Sequence, residues 1–304
     1  MSQSTRSVSP DVGQTATTSR VVTIARTEIK RTVRSRSLQV LMVLMLTATV
    51  LIFRTAGTGS GFSDQEVVGL LGLPFQLIVP IAAILTGAFS ISGDRESGTL
   101  RLLLGLPSSR TEVVLGKFLG VGTVITVGIA STIAVAALVS HITIGSDQTA
   151  ILLGIAGPTI LLGWGFLGFA IGVSAVAPTQ KRATAITTGG YLTLLFLWEV
   201  VVAGAHYAVT QRLPEPPLPG WVSALELGNP IIAYARAAEA FGVSTVAPLR
   251  VTFGLIRGSD TSSAAQAGAV LPTQPPDFVA IVVLGLWIAV PVAIGTLRFR
   301  RADI

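Results

Sequence analysis

Six apolar stretches dominate the chain, at residues 38–53, 67–91, 118–144, 151–177, 185–209 and 278–297. A helix needs about 20 apolar residues to cross a hydrocarbon core of about 30 Å. Inside that core every backbone amide and carbonyl has to find its partner within the protein. So many such runs commit the sequence to an all-α, polytopic membrane fold of six transmembrane helices. The composition agrees: 50% of the 304 residues are hydrophobic and only 12% charged, whereas a soluble domain carries about 25% charge. Mean hydropathy is +0.72. The first run is short, but Arg36 and Arg54 stand where they can snorkel from its two ends. It begins too late for a signal peptide and no small-residue cleavage site follows it, so it is read as an uncleaved helix.

Basic residues fix the expected orientation. The segment before the first run holds Arg6, Arg20, Arg26, Lys30, Arg31, Arg34 and Arg36. The second loop holds Arg95, Arg101, Arg110 and Lys117, the fourth Lys181 and Arg182, and the tail Arg298, Arg300 and Arg301. The alternate loops carry few, and the long fifth loop only the scattered Arg212, Arg236, Arg250 and Arg257. By the positive-inside rule both termini are expected in the cytoplasm. The net charge of +6 is thus explained by topology. It forms no aromatic-interleaved patch, which argues against nucleic acid as a partner. The absence of cysteine excludes disulfides, thiolate metal sites and cysteine nucleophiles.

Residues 1–19, rich in Ser and Thr, are expected to be disordered. Residues 20–36 read as an amphipathic interfacial helix, with Val22, Ala25, Ile29 and Val33 on one stripe and Arg26, Lys30, Arg31 and Arg34 on the other side. Anionic lipid would hold it at about 1 kcal/mol per basic residue. The loop 93–117 is the sizeable one on the basic side. In it Ser97, Gly98 and Thr99 precede a leucine run broken by Gly105 and Pro107, too short to cross a membrane. Ser109-Arg110-Thr111-Glu112 then reads as a capping box that starts a new helix. A short transverse helix, a proline turn and an ascending helix are expected here. Such an elbow suits either anchoring at the interface or turning a sideways push into helix tilt.

The loop resembles the signature of the type-two ABC transporter permeases, the ABC-2 family, and within it the subset similar to the accessory permease of nitrous-oxide-reductase maturation. The matching positions are Asp94, Arg95, Glu96, Gly98, Thr99, Leu100, Leu103, Pro107, Ser109, Arg110, Glu112, Gly116 and Lys117, placed between spans two and three. The layout is similar as well: an amphipathic entry helix, six spans, and a large external loop at 210–277 before the last. This resemblance implies that the loop docks onto an ATP-hydrolysing subunit, which binds ATP and Mg, and that two permease units pair as a homo- or heterodimer. It also implies export, at the plasma membrane of a prokaryote, and shifts the weight from anchoring to coupling.

The external loop is too long for a plain connector. Four prolines between 214 and 219 stiffen its start, Asn229-Pro230 opens a helix and Gly242 stops it. Ile231, Ile232, Ala235, Ala238 and Phe241 are expected to bury one face in the outer leaflet. That helix resembles the external or re-entrant helices that close the outer gate in the family; a surface lid without gating is the plainer alternative.

Chemistry in this chain is sparse. Its Gly-Lys pair, Gly116-Lys117, is followed by Phe118 and preceded by Thr111 where a P-loop needs glycine, so ATP hydrolysis is expected elsewhere and no cofactor here. His141 and His206 both fall near the outer ends of spans and are read as interfacial residues in preference to a metal pair. Glu199 is the one carboxylate within a proposed span. At about 2.5–3.5 kcal/mol on insertion scales it should face protein or a cavity, either as a gate, cation or proton contact or as a structural acid. Gly168 and Gly172, and again Gly116 and Gly120, form G-x-x-x-G steps suited to close helix packing. Pro74, Pro80 and Pro158 invite kinks within spans. The reading is a permease subunit of an ATP-driven exporter. Its rivals are an ion-coupled secondary transporter using Glu199, for which no inverted repeat is evident, and a membrane anchor or sensor that moves nothing.

Overall fold

The computed structural model describes residues 11–56, 61–100, 109–145, 147–215, 218–256 and 277–301. These form helices α1 (Asp11–Val33), α2 (Arg36–Ala56), α3 (Asp64–Leu70), α4 (Gly72–Glu96), α5 (Arg110–Thr143) and α6 (Thr149–Val176). The fifth span joins α7 (Gln180–Leu192), a π-helical turn (Thr193–Leu197) and α8 (Trp198–Thr210). The external helices α9 (Gly220–Leu227) and α10 (Pro230–Ala240) precede α11 (Asp277–Arg301). Among the described residues six helices are long and apolar enough to cross a membrane. The expected all-α polytopic fold is the fold observed. Helix α1 begins at Asp11, inside the stretch expected to be disordered, and α4 and α6 run on through Pro80 and Pro158.

Helix α6 is the hub, flanked by α4, α5, α7, α10 and α11. Lipid offers helices no hydrophobic reason to associate, so contact relies on close packing. Glycines provide it. A Cβ on Gly168 would lie 2.7 Å from the Ile288 carbonyl oxygen of α11, and one on Gly295 would lie 2.6 Å from the Gly172 Cα. Gly163 sits against Ile125 of α5 and Val79 of α4. The small residues also expose backbone for Ser174, whose hydroxyl donates to Ala88 O at 2.8 Å and accepts from the amides of Ile91 and Ser92.

The external segment folds down into the bundle. Asn229 accepts from the Ile231 amide at 2.9 Å and caps α10, with Pro230 as its first residue, and Gly242 adopts φ +83° where the helix stops. The buried face of α10 is Ile231, Tyr234, Ala235 and Ala238, and it packs on α11 and α6. The expectation that this face enters the outer leaflet is therefore corrected: protein covers it, and Phe241 stays exposed. Gln76, fully buried in α4, ties the segment in by donating to Ala247 O and accepting from the Leu249 amide.

Replacing Gly172 with Ala tests the hub. Alanine gains roughly 0.5–1 kcal/mol of helix preference over glycine, but here its methyl has to displace α11, which overpacking data put at about 1–3 kcal/mol. The expected outcome is a lower melting temperature in detergent. Gly189→Ala, where nothing lies within 4 Å of the added Cβ, should melt at or slightly above the parent.

Candidate functional site

The family-like residues meet at the basic end of the bundle. Lys117 of α5 is 2% exposed, and its Nζ lies 2.7 Å from Asp94 of α4 and 3.0 Å from Glu28 of α1. Arg31 of α1 reaches the same acids, at 3.0 Å from Asp94 and 3.8 Å from Glu28. Two cations and two carboxylates thus neutralise one another where three helices cross. Glu28, Asp94 and Lys117 are buried and Arg31 is half-exposed; removing one of the buried members leaves an uncompensated charge, at a cost of about 3–5 kcal/mol.

The approach of α1 to α5 depends on Gly116 and Gly120. A Cβ on the first would lie 2.7 Å from Ile24, and one on the second 2.7 Å from the Ala25 carbonyl. The stripe expected on α1 is accordingly rotated. Val22 and Val33 are exposed, while Glu28 and Thr32 are buried and Val21 and Ile24 turn inward. The polar contacts of Glu28 with Lys117 decide the register, which apolar periodicity alone could not reveal. Positions 21, 24, 25, 28 and 32 do fall on one helical face. The signal available in the sequence was an acid on that face within an otherwise basic helix.

Around this quartet the other motif residues tie spans together. Arg95 donates to the carbonyls of Ala175 and Ala177 at the end of α6. Arg110 donates to Phe299 O at 2.7 Å, and both guanidinium groups flank the buried Phe299 ring, at 5.7 and 5.6 Å from its centroid. Such cation–π contacts are stronger when the cation is partly desolvated. Glu96 accepts from the Gln180 amide at 2.9 Å and so joins α4 to the start of α7. Ser109 and Glu112 exchange both bonds of a capping box, and Glu112 lies 3.9 Å from Arg20. Thus Asp94, Arg95, Arg110, Glu112 and Lys117 turn toward the bundle, while Glu96, itself exposed, bonds to the backbone that starts α7. They form a girdle across α1, α4, α5, α6, α7 and α11.

The described part of the elbow is its start, residues 97–100. Gly98 takes φ +74° after α4, Ser97 and Thr99 share a hydrogen bond at 2.9 Å, Thr99 is exposed and Leu100 is buried. Leu103 and Pro107, with the expected transverse helix, lie outside the described residues.

Glu199 is remote from this girdle. It is 2% exposed, and its carboxylate accepts from the backbone amides of Phe253, Leu255 and Ile256, at 2.7 and 3.0 Å for the last two. Three amides occupy it, which is the environment of a structural acid holding the external segment. The adjoining π-turn has a parallel role: the Leu194 carbonyl accepts from Asn229 Nδ2 at 2.8 Å and the Leu195 carbonyl from the Val251 amide at 2.9 Å. The histidines have separate partners. His206 stacks on Trp221 and donates from Nδ1 to Arg212 O, whereas exposed His141 lies near Asp147, whose carboxyl is held below its usual range by hydrogen bonds from Thr149.

Comparison with known proteins identifies the family. Residues 22–304 match the family model described as ABC-2 family transporter protein. The chain is 30% identical over 297 residues, covering 93% of it and 99% of the relative, to the probable ABC transporter permease protein NosY of Pseudomonas aeruginosa. It is 27% identical over 224 residues, 69% of this chain and 78% of the relative, to the protein of the same name from Stutzerimonas stutzeri. With the match running from α1 through α11 and including the whole girdle, the chain belongs to the ABC-2 transporter family, as a multi-pass membrane permease.

Proposed function

We propose that this chain is the membrane-spanning half of an exporter whose ATP and Mg are bound, and whose ATP is hydrolysed, by a separate ABC ATPase subunit. Two permease units pair, as a homo- or heterodimer, in the plasma membrane of a prokaryote with both termini in the cytoplasm. The observation that carries this reading is the girdle. The motif residues that resemble a docking signature are engaged with other helices of the same chain, so they transmit force; the elbow around Thr99 receives it. Closure of the ATPase on nucleotide pushes the elbow. The girdle then moves the basic ends of α4 and α5 together with α1, α6, α7 and α11. At the far end, the external segment pinned by Gln76, Asn229 and Glu199 closes the path. The outward direction rests on the family resemblance.

The absence of native cysteine makes the docking test clean. A cysteine introduced at Thr99 and carrying a photocrosslinker should capture the ATPase in living cells; capture of no ATPase would sink the reading. Exchanging Glu96 and Arg110 for Ala together should leave insertion intact while abolishing the stimulation of ATP hydrolysis by the permease. Normal stimulation in that variant would remove the girdle from the mechanism.

The secondary-transporter rival needs Glu199 to exchange an ion. If the acid is structural, Glu199→Gln should loosen the segment 250–256 by about 1.5–3 kcal/mol per charged hydrogen bond lost, read as faster amide exchange there. Unchanged exchange, with transport that has lost its dependence on an ion gradient, would favour the rival.

A further inference from the structure

A cavity of about 130 Å³ lies at the turn between α1 and α2, against α4 and beside the ion quartet; a space of ~10–15 Å³ already admits one water. Its lining is mixed. Arg31, Ser35, Ser37, Thr86 and Ser90 supply polar groups, and Leu38, Leu41, Leu85 and Phe89 supply apolar ones.

Ser90 is the informative residue. It is 1% exposed, and its hydroxyl has no hydrogen-bond partner. Its neighbours on α4 show what a serine or threonine there does by default: Thr86 donates to Ala82 O at 2.7 Å and Ser92 to Ala88 O at 2.6 Å. Ser90 forgoes that bond while lining the cavity. A buried unsatisfied hydroxyl is costly, so a polar atom in the cavity would relieve it.

Hydrogen-bond donors specify the kind of polar atom. The N-terminal turn of α2 carries no acid, and the first amides of a helix attract anions. Arg31 meets its two acids through Nη1 and its side chain is 51% exposed, leaving guanidinium donors for an added oxygen. Glu28 also lines the space; the quartet is neutral as a set, so the preference for an anion comes from these donors and not from net charge. An anion with several acceptor oxygens and an apolar stem fits both kinds of lining.

We propose that this cavity holds the phosphate of a phospholipid from the leaflet at the basic end. Arg31, Ser37, Ser90 and the first turn of α2 bind the phosphate oxygens, and the glycerol and upper acyl chain lie along Leu38, Leu41, Leu85 and Phe89. The site fastens a single lipid between the entry helix and the span that carries Asp94.

Native mass spectrometry of the full chain released from nanodiscs tests this, with phosphatidylglycerol in one preparation and a phosphate-free glycolipid in another. The expected result is one retained phosphatidylglycerol per chain and no retained glycolipid. Ser37→Trp, at an exposed position on the rim, should cut retention about tenfold, and Ser90→Ala, which preserves the packing, by a smaller factor. If Ser37→Trp does not fold, Ser90→Ala alone decides. Equal retention of glycolipid, retention unchanged by the variants, or saturation of the site by millimolar inorganic phosphate in the glycolipid preparation would each overturn the proposal.

Discussion

Helices in a bilayer gain little by burying apolar surface against one another, since lipid is as apolar as they are. This constraint governs the whole fold. It explains why the central helix is the glycine-rich α6, with Gly163, Gly168 and Gly172 set against three different neighbours. Close backbone approach there multiplies weak dispersion contacts, each only about 0.1–0.2 kcal/mol. It also brings carbonyls within reach of side chains, as the Ser174 contacts with α4 show. The same device recurs at the entry helix, where Gly116 and Gly120 let α1 lie against α5. Without that approach Lys117 would not reach Glu28.

The second consequence of a lipid solvent is that irregular backbone survives only where protein satisfies it. Residues 250–256 are irregular yet dip against the fifth span. Glu199 receives three of their amides, and the π-turn receives another at Leu195 O. The π-turn is itself a local loss of regular helical bonding, and the carbonyls it frees serve the external segment. An acid in the fifth span and a helix defect thus solve one problem between them, the anchoring of a loop against that span.

The legible and illegible parts of the sequence divide along physical lines. Six spans, the capping box at Ser109 and the Asn229-Pro230 start follow from local rules, and so they are legible. The register of α1 is not, because Val22 and Val33 satisfy the same periodicity as the observed face. Only the partner of Glu28, 89 positions away, distinguishes the two. The face of α10 was assigned correctly as apolar but to the wrong surroundings, since hydrophobicity does not tell lipid from a neighbouring helix. The motif residues were recognised as a group through family likeness. That they face inward was invisible, because a charge near a span end reads the same whether it meets solvent, a partner or a carbonyl of the next helix.

That inward orientation changes what the motif has to do. A residue that contacts a partner directly is judged by complementarity, and its loss is felt at one interface. A residue such as Arg110, which links the start of α5 to the end of α11 through Phe299, is judged by stiffness. Coupling between distant sites requires an element with discrete arrangements that both sites bias. A loosely joined set of helix ends would absorb a push in local bending. The quartet of Glu28, Arg31, Asp94 and Lys117 resists such bending because its charges cannot separate singly without exposing a buried partner. Movement of these helix ends is therefore confined to motion as a body, the form in which, on the function proposed above, a displacement of the elbow would reach the opposite end of the bundle.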